Sequence, residues 1–511
     1  MLTETHPQRS PARRAAPAIV SALAALLVYA CTLGGTYIYD DGPVIHDDPR
    51  MTHPGLWYQF FTRPYTPSVD KLYRPLTSLS FAIQQVAHGD RPWAFHLVNW
   101  ILHAAAAAAV AELGYRLAGA RVAWMAGMLF AVHPAHVEAV AGLVGRSESL
   151  CTLATVSGLC LFLGRSMTPG RILGMVGCFV VALLSKEQGM LFPLLVLALV
   201  PVRRARISER MEKKQRLWLT LSLCYVLAGY IFLRELTFGF FWDRAFLEWA
   251  MNPMVRSAGI DRVLMPVVLI GRYFLLLVAP RRQALDYGGY AIGWKVDPHD
   301  PFLYLGFLVL VGWLVLLGWS VSRRRWALMF CLLALAITYG MIGNIVAIIG
   351  TIFAERLIYL PSAFFVLLVA MGIAKLPRIA GRTIAIALIL LGGIATFSYA
   401  RVWNDPRQLF ELALRNQPRS ERTYALLFGE LSRAGQWEEA RRVAGEAIRA
   451  APDSDAPYGM RITADLKLAD FADARRTLSA GMSACEGFDR LALVPYVSQI
   501  SQAASATQPS P

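Results

Sequence analysis

Apolar stretches long enough to cross a bilayer recur along most of this chain, separated by short polar loops. Crossing hydrocarbon takes about 20 apolar residues as a helix, because no water is present there to satisfy a bare backbone. The sequence therefore predicts an all-α polytopic membrane protein. A mean hydropathy of +0.44 and a hydrophobic content of 56% exclude an ordinary soluble globule. Spans are read at 16–35, 94–116, 122–132, 150–163, 172–184, 190–202, 217–233, 302–319, 326–342, 359–373 and 383–399. Several are short, which predicts tilt or local burial in protein. Residues 260–279 are also apolar; read as a re-entrant or interfacial segment on the outer face, they leave about eleven spans. The first apolar run follows Arg13 and Arg14 and resembles a signal peptide, and "LVYAC" resembles a lipoprotein cleavage box. The run is long enough to span, and many more spans follow, so it is read as the first crossing.

Charge orients the chain. Basic residues mark cytoplasmic loops, and here they cluster at Arg116 and Arg121, Arg165 and Arg171, "RRARISERMEKKQR", Arg323–Arg325, and Lys375, Arg378 and Arg382. This puts residues 1–15 inside as a cytoplasmic tail, the membrane region at 16–400, and the first large loop, 36–93, outside. The formal net charge of +15 thus reflects orientation and contact with anionic lipid, not nucleic acid. The seven cysteines are scattered and give neither a disulfide framework nor zinc spacing.

Past residue 400 the chain turns polar. "GQWEEARRVAGEAIRAAPDS" is followed by "ADFADARRTLSAGM", with Trp437 matching Phe471, Ala440 matching Ala474, and Arg441–Arg442 matching Arg475–Arg476. The offset is the roughly 34-residue period of tetratricopeptide repeats. Trp403 and Pro418 fall one period earlier and suggest a degenerate first repeat. Residues 401–485 are read as a C-terminal α-solenoid able to offer a groove to a polypeptide, and 486–511 as a tail.

The outward loops carry a set of charged and polar residues that is costly at a membrane rim unless solvated or paired. Asp40–Asp41, in "TYIYDDGP", reads equally as turn chemistry and as an acid pair in which one carboxyl is raised toward neutrality by the other. His133, His136 and Glu138 invite a metal reading, but His-x-x-His-x-Glu does not put all three on one helical face. A polar pocket with no metal and no cofactor is the reading adopted. Arg146 and Glu148, Lys186 and Glu187, and Glu355 and Arg356 each read alone as ion pairs or snorkelling side chains. Their gathering on one side of the membrane points to a site.

The stretches "YDD", "YRPLTSLSF", "FHLVNWILH", "FAVHPAHVEAVAGLVGRSE", "SKEQG", "LDY" and "ERLIYLPS" occur in this order. Together they resemble the transmembrane and tetratricopeptide-repeat O-mannosyltransferase family, of the GT-C class of glycosyltransferases, over about residues 37–403. The resemblance implies transfer of a sugar, mannose in that family, from a polyprenyl-phosphate donor in the membrane to Ser or Thr hydroxyls of an extracytoplasmic polypeptide. It implies Asp40 as the base, Asp41 as its partner, and a single inverting displacement. It leaves Arg74, Arg146, Lys186 and Arg356 as candidates to hold the leaving phosphate, and His133, His136, Glu138, Glu187, Glu355 and Tyr359 to shape the sugar pocket or orient these cations. The short repeat array departs from animal members and points to a bacterial protein of the cell inner membrane, with its repeats periplasmic. A lipid or polysaccharide acceptor, and a non-catalytic membrane-anchored repeat scaffold, are the competing readings.

Overall fold

A computed structural model describes residues 11–66, 72–207, 211–239 and 251–506. Most of the expected cytoplasmic tail, part of the basic cluster after residue 202, part of the outward stretch between Arg234 and Asp261, and the last five residues lie outside the described residues. Among those described there is no strand, and the chain is all-α.

The membrane region contains α1 (Pro11–Tyr29), α2 (Pro75–His88), α3 (Pro92–Ala118), α4 (Ala120–Ala131), α5 (Val137–Ala141), α6 (Arg146–Phe162), α7 (Pro169–Ser185), α8 (Phe192–Arg206), α9 (Lys213–Phe238), α10 (Gly259–Val278), α11 (Pro301–Ser322), α12 (Trp326–Ile342), α13 (Tyr359–Ile373) and α14 (Arg378–Val402). Behind it come α15 (Pro406–Asn416), α16 (Glu421–Arg433), α17 (Trp437–Ala450), α18 (Asp455–Lys467), α19 (Phe471–Ala484), α20 (Gly487–Leu493) and α21 (Pro495–Ala506). Proline begins α2, α3, α7, α11 and α15, where its missing N–H costs nothing and its φ is already helical. Asp300 and Asp405 cap α11 and α15 by accepting backbone N–H bonds. Gly119, at φ +89°, reverses the chain between α3 and α4.

Among the described residues, seven helical segments are long and apolar enough to cross a membrane, and α4, α7 and α12 are shorter apolar helices. The segment Pro301–Ser322 has only 11% of its most apolar window buried inside the protein. A helix apolar all round and packed on so little protein is stable in lipid and not in water. The chain is a multi-pass membrane protein on this physical ground.

The segment at 260–279 overturns the re-entrant form of its sequence reading. It is one unbroken helix, α10, of 20 residues, about 30 Å long at the α-helical rise, with no reversal inside it. Its middle crosses α11 antiparallel. Gly271 abuts Phe302 and Gly306 abuts Val267, and a Cβ on Gly306 would fall 2.0 Å from the Val267 carbonyl oxygen. The last turn of α10 reaches the loop after α4, where the His133 ring bonds the Leu277 carbonyl at 3.0 Å. Asp261, in its first turn, accepts the Val296 N–H at 2.9 Å.

The polar tail is helix pairs with an internal repeat. Ser420 precedes α16 as Ser454 precedes α18, and Tyr424 donates to the Pro418 carbonyl as Tyr458 does to that of Pro452. The first period keeps the register at Pro418, Ser420 and Tyr424, but its first helix is shortened at the start: Trp403 closes α14, and α15 begins at Pro406. The tail is not a tethered module. Leu409, Phe410, Ala413, Leu427, Leu431 and Val443 belong to the same buried apolar cluster as the membrane helices, whereas Tyr458, Ile462, Leu478 and Ile500 form a separate one. Asn404 reinforces the join by donating to the Cys31 carbonyl at 2.8 Å. The tail therefore sits at the end of the bundle where α1 emerges.

Candidate active site

The loop after α1 separates the two adjacent acids by local backbone geometry. Tyr39 adopts φ +60°, a left-handed conformation uncommon for any residue but glycine, and one wide helical turn follows at Gly42–His46. Asp41 turns inward and is 1% exposed. Its Oδ2 accepts the Ile38 N–H at 3.1 Å and its Oδ1 accepts the Val144 N–H at 3.0 Å, tying the loop to the turn before α6. Burial pushes the Asp41 carboxyl up to about 7, the backbone N–H groups oppose the rise, and the charge of Asp40 adds least. Desolvation is the main cause of the rise, and the like charge of Asp40 a lesser one. Asp40 turns outward. Its side chain is 34% exposed and pairs with Arg422 of α16 at 3.4 Å.

The expected cations are all engaged, in different ways. Arg146 opens α6 with no exposure. It donates to Asn99 Oδ1 at 2.8 Å, Gln84 Oε1 at 2.8 Å, Ser80 Oγ at 3.3 Å and the Phe95 carbonyl at 3.2 Å, and its guanidinium lies 4.1 Å from the centre of the Phe81 ring. It braces α2, α3 and α6, and its donors are spent on protein acceptors. Lys186, at the end of α7, is buried against Glu148, and burial lowers its pKa against the pull of that carboxylate. Arg74 meets Glu187 through two nitrogens, Nη2 at 2.9 Å and Nε at 3.2 Å. Arg356 pairs with Glu138, which also accepts its backbone N–H at 2.7 Å. Arg74 and Arg356 keep 15% and 19% of their side chains exposed, and Lys186 keeps 4%.

Behind these pairs lies a buried wall. His133 Nε2 bonds the Leu277 carbonyl at 3.0 Å while Nδ1 accepts the Ala135 N–H at 3.2 Å, and burial lowers its pKa to about 4. His136 bonds the Phe130 carbonyl through Nδ1 at 3.0 Å and Ser362 through Nε2 at 2.7 Å, and burial lowers its pKa as well. Both rings are neutral and clamp the loop between α4 and α5. Tyr359 bonds His103 at 2.7 Å in the same layer. Among the described residues, no group of three His, Cys, Asp or Glu is arranged to hold a metal ion. Glu355 organises the opposite side, accepting from Gln283 at 2.7 Å, the Ala284 N–H at 2.9 Å and Tyr287 at 2.7 Å.

No family model matches the chain. It is 26% identical over 419 residues to a protein O-mannosyl-transferase of Caenorhabditis elegans, covering 78% of this chain and 57% of that protein. It is 26% identical over 471 residues to protein O-mannosyl-transferase TMTC4 of Mus musculus, covering 80% and 62%. Protein O-mannosyl-transferase TMTC2 of the same species is 32% identical over 211 residues, 39% of this chain and 25% of that protein. The chain is similar in sequence to proteins named protein O-mannosyl-transferases. It spans little more than half the length of the worm relative. Solved structures that match are the apo oligosaccharyltransferase of Archaeoglobus fulgidus (14% identity, 83% of this chain, 60% of that one, TM-score 0.45) and ArnT of Cupriavidus metallidurans bound to undecaprenyl phosphate (14%, 90%, 79%, TM-score 0.43).

Sequence reasoning missed the tail's share of this site. Arg422 reaches Asp40, and Ser420 donates to Asp286 Oδ2 at 2.8 Å. Asp286 belongs to the "LDY" stretch, to which the family resemblance attaches no role. Arg422 lies outside every motif. Only its position just after the helix-capping Ser420 marks its place in the chain.

Proposed function

We propose that this chain is an inverting glycosyltransferase of the outer membrane surface. In this reading it moves a sugar, mannose by analogy with the names of its relatives, from a polyprenyl-phosphate donor to Ser or Thr hydroxyls of extracytoplasmic polypeptides. Asp40 takes the hydroxyl proton as the oxygen attacks the anomeric carbon. The carboxylate of an aspartate suits this step when it is accessible and not consumed by backbone donors; the partial exposure of Asp40 and the two backbone donors on Asp41 support Asp40 in the role. Arg74 and Arg356, each partly exposed and already oriented by a carboxylate, are assigned to the leaving phosphate. Lys186 contributes a buried positive charge behind them. Glu138, Glu148 and Glu187 orient these cations. His133, His136, Glu355 and Tyr359 hold the pocket walls, and Arg146 braces them.

The same reading takes α10 as lying along the outer interface, which keeps eleven crossings, an inner N-terminus, and the helix pairs outside as tetratricopeptide repeats in the periplasm of a bacterial cell. The contact between the tail and the loop after α1 supports an odd number of crossings. The observation that carries the proposal is the contrast between the spent carboxylate of Asp41 and the solvent-facing one of Asp40, with Arg356 nearby on the same face.

The test is transfer from radiolabelled polyprenyl-phosphate mannose by the purified chain in lipid, with a secreted-protein extract as acceptor. Label should reach protein with the native chain and fall about 100-fold or more in Asp40→Asn. Label confined to a lipid extract would move the acceptor to lipid or glycan. Equal transfer by the two proteins would reject Asp40 as base.

A further inference from the structure

The helical tail reaches into the outer loop cluster at three points spaced over a few residues. Asn416, at the end of α15, donates to the Gln283 carbonyl at 2.7 Å. Ser420 donates to Asp286 at 2.8 Å. Arg422, two residues further on, pairs with Asp40 and lays its guanidinium 4.6 Å from the centre of the Tyr39 ring. The first two contacts fix the start of α16 against the 283–288 loop, which Glu355 pins in turn. The third is therefore delivered by a rigid frame and not by a loose surface chain.

What Arg422 touches is the least regular backbone of the site. Tyr39 holds φ +60°, a conformation that costs free energy and persists only when its surroundings impose it. A cation over the Tyr39 ring and an ion pair to the next residue grip that turn from outside, while Asp41 grips it from inside through Ile38. We propose that Arg422 is a positioning residue for the outer membrane site: the tail supplies the guanidinium that fixes the Tyr39–Asp40 turn and aims the Asp40 carboxylate. The helical tail is then part of the active site. The inference rests on the reading of Asp40 as base, and its structural half stands apart from that reading.

Two measurements separate the halves. Hydrogen exchange on the full chain in lipid reads the amides of Asp41, Val44 and Asp47, which bond to Ile38, Asp40 and Gly42. In Arg422→Gln these should exchange about tenfold faster or more, with little change in Arg422→Lys and none in Arg419→Gln, a neighbouring exposed arginine. Unchanged exchange in Arg422→Gln overturns the proposal whatever the activity. The transfer assay then reads the consequence. Arg422→Gln should lower kcat about tenfold with KM for the donor within about twofold, and Arg422→Lys should recover part of the loss. A loss carried by KM alone, or none, overturns the positioning role. Faster exchange together with full transfer by Asp40→Asn would reject the base assignment and with it this inference, while leaving the structural grip in place.

Discussion

Asp40 and Asp41 are neighbours in the chain and opposites in environment, and each makes its own prediction. Asp41 is a buried acceptor for two backbone N–H groups, with its pKa raised to about 7. An unfolded aspartate releases its proton near about pH 3.9. Between these values the folded chain binds the extra proton, so this group's contribution to stability declines as pH rises from about 4 to about 7 and levels off above. Measured against Asp41→Asn, the native chain should show that decline in its thermal midpoint. A difference that stays flat across the range would remove Asp41 as its source. Asp40 is partly solvated, so Asp40→Asn should abolish transfer and leave the thermal midpoint within about 2 °C, since surface changes are worth about 0.5 kcal/mol or less. That the loops carry charged residues was legible in the sequence, because charge at a bilayer rim is conspicuous. Which of the two acids is buried was not. That depends on the φ of Tyr39 and on a partner, Val144, about a hundred residues away. Arg146 was legible as a charge but not as a brace, because its acceptors come from two other helices.

Helices α10 and α11 meet through glycine, and this contact sets where the loop carrying Gln283 and Asp286 emerges. A Cβ on Gly306 would meet the Val267 carbonyl at 2.0 Å and one on Gly271 the Phe302 carbonyl at 2.2 Å. Small residues at such crossings let helix backbones approach in lipid, where no hydrophobic effect drives them together. Gly306→Leu should therefore force the pair apart, lower stability by about 1–3 kcal/mol, and speed exchange in the 283–288 loop. Unaltered unfolding and exchange would mean that the crossing yields without consequence. The sequence pattern gave α10 its apolarity and approximate ends, since those follow from composition. Its unbroken course was not legible, because a short apolar run has the same composition whether it turns back or continues. The start of α15 was less legible than its register: the last membrane helix runs on to Val402, so the first turn that Trp437 opens in α17 has no counterpart at Trp403.

At the scale of the whole molecule, one apolar cluster runs from the membrane helices into α15–α17. The loop after α1 and the tail share a side, and the proposed orientation makes that side the outer one. In spheroplasts, with the exposed Cys224 replaced, an impermeant thiol reagent should label Ser505→Cys and should miss Arg323→Cys until the membrane is opened. Labelling of Arg323→Cys alone would invert the assignment. The join between tail and bundle also decides how such an array can lengthen in evolution. A helix pair inserted between α14 and α15 would lift Arg422 off the Tyr39–Asp40 turn and break the shared core. A pair appended beyond α19 would meet only the separate apolar cluster at the far end, and each repeat contacts only its neighbours. Repeat number is thus free to drift at one end and frozen at the other: added helix pairs could change what the far end holds and leave the first turn against the acid as it is.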